Sequence, residues 1–124
     1  MLADRNAIAT VAVKDIEVAR KFYEGTLGLE VAGSEEPGVM TYKTGNAALL
    51  VYESPFARTN RATSVTWGVP NLDGAVRELK SKGVSFEWYD IPGVTRDGDI
   101  HRSENTQVAW FKDPDGNIHA LVAR

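Results

Sequence analysis

The sequence predicts an α+β fold in which two β-α-β-β-β units form a curved mixed sheet with pseudo-two-fold symmetry and with the helices outside. The main observation is an internal repeat, since the pattern that begins at Val13–Ala19 returns at Val69–Ala75. Each copy runs from an apolar strand through a capping residue and an amphipathic helix to a glycine and a second strand. A repeated unit that cannot bury its apolar face alone must pack against a partner. We therefore expect one domain over residues 1–124.

Composition narrows the classes of function. The chain has 124 residues, a net charge of −3 and 43% hydrophobic residues, as expected for a globular domain. Its lysines and arginines form no basic stripe, which argues against a nucleic-acid partner. No apolar run approaches the roughly 18 residues of a membrane helix, and no signal-peptide pattern is present, so we expect a cytoplasmic protein without a membrane partner. The absence of cysteine excludes disulfides and thiolate metal sites.

Unit one is predicted to span about residues 7–53. A β-branched strand over 7–13 is followed by Asp15, a suitable N-cap, and by a helix whose apolar residues keep helical spacing as far as Leu27. Gly28 suits the left-handed position that ends a helix. Three further strands, separated by turns, are predicted over 29–34, 39–44 and 47–53.

Unit two is predicted to span about residues 63–123, after a linker over 54–62. A strand over 63–69 leads to Asn71, which caps the second helix, and Gly83 ends that helix. The remaining elements are a strand over 84–90, a polar loop over about 91–105, and two strands over 106–112 and 117–123 that flank the turn Asp113-Pro114-Asp115-Gly116.

Four short motifs carry a family resemblance. They are Val13-Lys14-Asp15, Phe22-Tyr23, Leu27-Gly28-Leu29 and Phe111-Lys112-Asp113-Pro114-Asp115-Gly116-Asn117. With these motifs the whole chain resembles the vicinal oxygen chelate superfamily, which includes glyoxalase I, bleomycin-resistance proteins, extradiol dioxygenases and fosfomycin-resistance enzymes. The resemblance implies a cup-shaped cavity with one half from each unit, and a homodimer. It also implies that a metal enzyme of this kind carries four His, Gln or Glu ligands on the first and fourth strands of each unit.

The resemblance locates the four ligand positions at Ile8, Leu50, Ser64 and Ala120. Three of these side chains are hydrocarbon and one is a weak hydroxyl donor, whereas a protein-held Zn²⁺, Fe²⁺ or Mn²⁺ needs several nitrogen or carboxylate donors. A register error of one residue would substitute Ala9, Val51, Val65 and His119, and this set still supplies only one metal donor. The sequence therefore predicts no metal and no cofactor.

The two histidines receive different predictions. Strand alternation puts His119 on the helix side if Ala120 faces the cavity, so we expect a packed histidine. His101 lies in the polar loop, which is predicted either to be solvated or to close over a ligand with His101, Asp99 or Arg102 as polar contacts.

The aromatic residues complete the predicted cavity. Pairing the last two strands across their turn would put Phe111 beside Ile118 on the cavity side and Trp110 beside His119 on the helix side, with Trp67. Alternation favours Tyr89 at the cavity, and Phe56 is expected at its rim. The predicted ligand-binding residues are Ile8, Thr10, Leu50, Tyr52, Phe56, Ser64, Thr66, Tyr89, His101, Phe111 and Ala120.

A mostly apolar cavity with a few hydroxyl groups suits an aromatic or amphipathic small molecule. We therefore expect a metal-free small-molecule binding protein of the drug-sequestering type. One alternative is a glyoxalase-like lyase or dioxygenase, with a metal relocated to His101, His119 and Glu53 or with metal-free acid–base chemistry. Another is an interaction module whose groove is filled by its own side chains. The residues assign no catalytic group.

Overall fold

A computed structural model of the chain describes residues 1–34 and 36–123. The chain divides into two compact units, Met1–Thr59 and Asn60–Arg124. The predicted α+β class is confirmed, because each unit combines an α-helix with a mixed sheet, of four strands in unit 1 and six in unit 2. Among the described residues, no helix has both the length and the hydropathy needed to cross a membrane.

Unit 1 follows the predicted β-α-β-β-β order after a short 3-10 turn at Leu2–Asp4. The strand order in its sheet is β1-β4-β3-β2, with β1 and β4 parallel and the other pairs antiparallel. The elements are β1 (Ala9–Val13), α1 (Ile16–Arg20), a π-helical segment (Lys21–Thr26), β2 (Glu30–Gly33), β3 (Val39–Thr44) and β4 (Ala47–Glu53).

The start of α1 is fixed by two carboxylates. Asp15 Oδ1 accepts hydrogen bonds from the backbone N–H groups of Glu17 at 2.9 Å and Val18 at 3.4 Å, as the N-cap prediction required. Glu53 Oε2 accepts a third from Ile16 N–H at 2.9 Å. The predicted single helix instead widens into the π-helical segment after Arg20, and Gly28, at φ +71°, lies beyond its end.

The two faces of the unit 1 sheet differ in burial. The helix face carries buried Val11, Leu49 and Tyr42, and Tyr23 of the π-helical segment stacks on Tyr42 with ring centroids 6.0 Å apart. The other face, here called the opposite face, carries Thr10, Ala12, Val39, Thr41, Leu50 and Tyr52, none of which is fully buried.

Unit 2 has a larger sheet than predicted, of order β5-β10-β9-β8-β7 with β6 beside β9. Asn71 caps α2 by accepting a hydrogen bond from Gly74 N–H at 3.0 Å, and Gly83, at φ +90°, follows the helix end. The elements are β5 (Thr63–Gly68), α2 (Leu72–Ser81), β6 (Phe86–Glu87), β7 (Thr95–Asp97), β8 (Ile100–Arg102), β9 (Gln107–Lys112) and β10 (Ile118–Ala123).

The predicted polar loop over 91–105 is wrong, because it contains the hairpin β7–β8. Asp97 pairs with Ile100, so that Gly98 and Asp99 form a two-residue turn, with Gly98 at φ +62°. The predicted strand over 84–90 is correspondingly shorter and keeps only Phe86–Glu87.

The predicted pairing of β9 with β10 is also wrong by one residue. Asp113 N–H donates to Asn117 O at 3.0 Å, which closes a loop of three residues, Pro114 to Gly116. The odd loop length pairs Phe111 with His119 and puts both residues on the face that α2 covers. The face of the unit 2 sheet that α2 does not cover, likewise called its opposite face, consequently carries Trp110, paired with Ala120.

Candidate functional site

The opposite face of unit 1 brings together three of the predicted ligand-binding residues. Thr10 and Leu50 are paired neighbours, and Tyr52 lies two residues beyond Leu50 on the same face. Leu50 is half-buried, whereas Thr10 and Tyr52 are exposed. These residues form an apolar surface with hydroxyl groups at its margin.

Two further predicted residues of unit 1 lie outside its strands. Ile8 directly precedes β1, is 50% exposed, and lines a shallow depression together with Asn46 and Ala48. Phe56 is 77% exposed in the turn after β4. Both are accessible to a ligand, although only Ile8 lies next to a sheet strand.

The opposite face of unit 2 carries a continuous row of paired residues. Thr66 pairs with Ala120, Ala120 with Trp110, and Trp110 with Glu87. Ser64, which lies two residues before Thr66 on the same strand face, accepts a hydrogen bond from Asn60 Nδ2 at 2.6 Å. Ser64, Thr66 and Ala120 therefore share a face as predicted, and Phe111 does not.

An aromatic cluster, formed by Trp88, Tyr89, His101 and Trp110, lies at one end of this face. The His101 and Trp110 rings meet edge to face with centroids 4.7 Å apart, and Tyr89 meets Trp110 in the same way at 5.2 Å. Trp88 lies nearly parallel to His101 at 6.3 Å. The guanidinium of Arg96 lies 5.0 Å from the centre of the Trp88 ring, a cation–π distance.

Two polar atoms of the cluster are buried without a hydrogen-bond partner among residues 1–34 and 36–123. They are Tyr89 Oη and His101 Nδ1. The other ring nitrogen, His101 Nε2, lies 3.0 Å from the backbone N of Tyr89 and 3.1 Å from its carbonyl oxygen. Burial, and secondarily the charge of Glu87, raises the pKa of Tyr89, so its phenol is neutral near pH 7.

His119 lies on the helix face, as predicted, and is fully buried. Its Nδ1 accepts a hydrogen bond from Trp67 Nε1 at 3.0 Å, and its ring stacks on Phe111 with centroids 4.8 Å apart. Burial lowers the pKa of His119 to about 4, so the imidazole is neutral near pH 7. This histidine belongs to the core of unit 2.

The four positions at which the resemblance implies metal ligands do not fit a metal in this chain. The side chains of Ile8, Leu50, Ser64 and Ala120 offer hydrocarbon and a single hydroxyl, which are poor ligands for Zn²⁺ or Fe²⁺. Within the described part of the chain, no three His, Asp or Glu side chains come together as a metal-binding group. We therefore derive no chemical step through a metal.

The sequence analysis missed Trp110 and Trp88 as site residues and assigned Phe111 to the wrong face. The available signal was the glycine at position 116. A three-residue hairpin loop requires a positive φ at its last position, and Gly116 adopts φ +79° there. The predicted helix-side position is confirmed for Trp67 and wrong for Trp110.

Comparison with known proteins identifies the fold. A family model described as Glyoxalase/Bleomycin resistance protein/Dioxygenase superfamily matches residues 6–121. No curated protein matches the sequence. Among solved structures, the chain is similar to a bleomycin-binding protein complexed with bleomycin, at 21% identity and a TM-score of 0.72, with 97% of this chain and 98% of that chain covered.

Two further structures show the same likeness. A glyoxalase family protein from Enterococcus faecalis is 19% identical with a TM-score of 0.72, covering 98% of this chain and 99% of that chain. The fosfomycin resistance protein FosX from Listeria monocytogenes is 16% identical with a TM-score of 0.70, covering 97% of this chain and 90% of that chain. Identities this low establish a common fold and do not transfer a ligand or a reaction.

Proposed function

The chain belongs to the Glyoxalase/Bleomycin resistance protein/Dioxygenase superfamily, and from this premise we propose that it is a metal-free small-molecule binding protein. Its ligand is an apolar or aromatic compound held against the opposite face of a sheet. A bleomycin-binding protein of similar fold, complexed with bleomycin, supports ligand binding as a use of this fold.

The observation that carries the proposal is the chemistry of the opposite faces. The paired rows Thr10–Leu50–Thr41 and Thr66–Ala120–Trp110 offer methyl groups, hydroxyl groups and an indole where the metal enzymes of the superfamily would need imidazole or carboxylate. A mostly apolar surface with a few polar groups is the usual lining of a small-molecule site.

The relocated-metal alternative is not supported by the positions of its ligands. It requires His101 and His119 to bind one ion, but His101 lies on the opposite face of the unit 2 sheet and His119 on the helix face. Glu53, its third member, is engaged at the start of α1. We therefore do not propose a lyase or dioxygenase that uses a metal relocated to these residues.

A thermal-shift assay on EDTA-treated protein tests the proposal with a panel of planar aromatic and aliphatic compounds. A ligand at a hundredfold excess over its Kd stabilises the native state by about 2.7 kcal/mol, which raises the melting temperature of a domain of this size by roughly 10 °C. We expect aromatic compounds to give such shifts without added metal.

A pair of variants tests whether the opposite face is responsible. Thr66→Lys places a charge in the Thr66–Ala120–Trp110 row and is expected to abolish the ligand-induced shift. Arg77→Glu changes an exposed charge on α2 and should leave the shift unchanged. Equal shifts in both variants, or shifts that appear only after a divalent metal is added, would contradict the proposal.

We also propose that the chain acts as a single domain and works in the cytoplasm, as its length and composition indicate, and that it forms a homodimer, as the family resemblance implies. A single cooperative unfolding transition and a dimer mass by light scattering are the expected results. A monomer mass at micromolar concentration would argue against the homodimer.

A further inference from the structure

We propose that the aromatic cluster of unit 2 recognises a planar aromatic compound bearing a hydrogen-bond acceptor, a carbonyl or carboxylate oxygen, directly on its ring. The proposal rests on the proposed function, because it names the class of ligand that the opposite face of unit 2 would take. In this site Tyr89 Oη and His101 Nδ1 donate to the acceptor oxygen, and the neighbouring indoles contact the ring.

We assign the donor role at this site to His101 Nδ1. Nε2 lies 3.0 Å from the Tyr89 backbone N, whose N–H can only donate, and 3.1 Å from the Tyr89 carbonyl oxygen, and we infer the tautomer in which Nε2 accepts from that N–H. A neutral imidazole then carries its proton on Nδ1, the atom without a partner in the described chain. The side chain is only 3% exposed, so Nδ1 is shielded from bulk solvent.

Tyr89 supplies a second donor of the same kind. Burial holds the pKa of this phenol above its usual value, so the O–H group is kept. Folded proteins rarely leave one buried polar atom unpaired, and two unpaired donors in neighbouring rings ask for an explanation. An acceptor that arrives with a ligand would satisfy both atoms, whereas a ligand with a donor at this position would not.

The ring contacts indicate where an aromatic ligand enters. Trp88 is 46% exposed and follows β6 in a segment without regular secondary structure, and its ring lies nearly parallel to that of His101 at 6.3 Å. The exposed guanidinium of Arg96 also lies near the Trp88 ring, 5.0 Å from its centre. Rotation of the Trp88 side chain would open the His101 ring to a planar ligand, and the positive charge of Arg96 would favour an electron-rich or anionic acceptor.

The test uses two probes of the same shape. 2-Acetylnaphthalene carries a carbonyl oxygen where 2-isopropenylnaphthalene carries a methylene group, and the Kd of each is measured by titration calorimetry on the full chain. We expect the ketone to bind about tenfold more tightly, the effect of one to two hydrogen bonds to a neutral acceptor.

Tyr89→Phe removes only the unpaired hydroxyl. We expect it to reduce the tenfold preference to about threefold or less while leaving the melting temperature unchanged or higher, because no hydrogen bond of the ligand-free protein is lost. Tyr42→Phe is the matched control, since it removes a buried phenol oxygen from the helix face of unit 1 and should leave the preference unchanged.

Each outcome decides one question. A preference that disappears in Tyr89→Phe and survives in Tyr42→Phe supports the proposal. Equal binding of the two probes, or a preference that Tyr89→Phe leaves intact, overturns the ligand class and leaves the proposed function standing. If neither probe binds, the ligand class and aromatic binding by this face are both overturned.

Discussion

The two buried histidines of unit 2 lie on different faces of one sheet, His101 on the opposite face and His119 on the helix face, and their environments differ. His119 has its Nδ1 paired with the Trp67 indole N–H and its ring stacked on Phe111. His101 is buried to a similar degree among aromatic rings, yet its Nδ1 has no partner in the described chain. The satisfied histidine stabilises the fold, whereas the unsatisfied one marks the surface where a ligand could complete the hydrogen bonding.

The largest expected effect is the loss of stability in His119→Ala. This change leaves a cavity beside Phe111 and an unpaired Trp67 N–H, so we expect the free energy of unfolding to fall by about 4 kcal/mol. His101→Ala is expected to cost about 2 kcal/mol, because it also removes an unpaired polar atom. Urea unfolding followed by circular dichroism measures both losses, and equal losses would contradict the predicted difference between the two histidines.

The pH dependence of stability gives the next largest effect. The folded pKa of His119 is about 4, against 6.5 for an ordinary histidine. Because the unfolded chain binds this proton more tightly, the stabilisation is complete above pH 6.5 and is lost as the pH falls towards 4. The loss amounts to about 3 kcal/mol over that window.

His119→Phe isolates this contribution from the carboxylates that titrate in the same range. The variant keeps an aromatic ring beside Phe111 and has no proton to bind. The difference in unfolding free energy between the original chain and this variant should therefore shrink as the pH falls from 6.5 to 4. A constant difference would show that His119 does not titrate as its burial requires.

The smallest effect compares two tyrosines. Tyr42 Oη donates to the Glu24 carboxylate at 2.8 Å, so Tyr42→Phe should cost about 2 kcal/mol of unfolding free energy. Tyr89→Phe should change the stability by less than about 0.5 kcal/mol, because its Oη has no partner in the described chain. Urea unfolding distinguishes the two, and a similar cost for Tyr89→Phe would mean that this hydroxyl is paired in the ligand-free protein.

Parts of the fold with strong local signals could be predicted from the sequence. The strands Val39–Thr44 and Ala47–Glu53 have the predicted bounds, because Gly45-Asn46 marks the two-residue turn between them. Gly98-Asp99 forms a turn of the same length. That hairpin was missed because its first strand, Thr95–Asp97, is short, polar and exposed, and therefore lacks alternating apolar residues.

The site was predicted less well, because its composition depends on register and on distant contacts. The loop of three residues, Pro114 to Gly116, in place of the predicted four-residue turn exchanges the faces of Trp110 and Phe111. The loop is closed by Asn117, whose buried side chain donates to Asp113 Oδ2 at 2.8 Å. The burial of His101 arises from rings at positions 88, 89 and 110, which separate strands and segments bring together. Its polar neighbours in sequence gave no indication of this.

The central claim is that an aromatic ligand binds the opposite face of unit 2 without a metal. The most direct measurement is a ¹H–¹⁵N NMR titration of the three tryptophan indole N–H signals with 2-acetylnaphthalene in the presence of EDTA. We predict that the Trp88 and Trp110 signals shift while the signal of Trp67, on the helix face, does not. A shift of Trp67 alone, or no shift until a divalent metal is supplied in place of EDTA, would contradict the account.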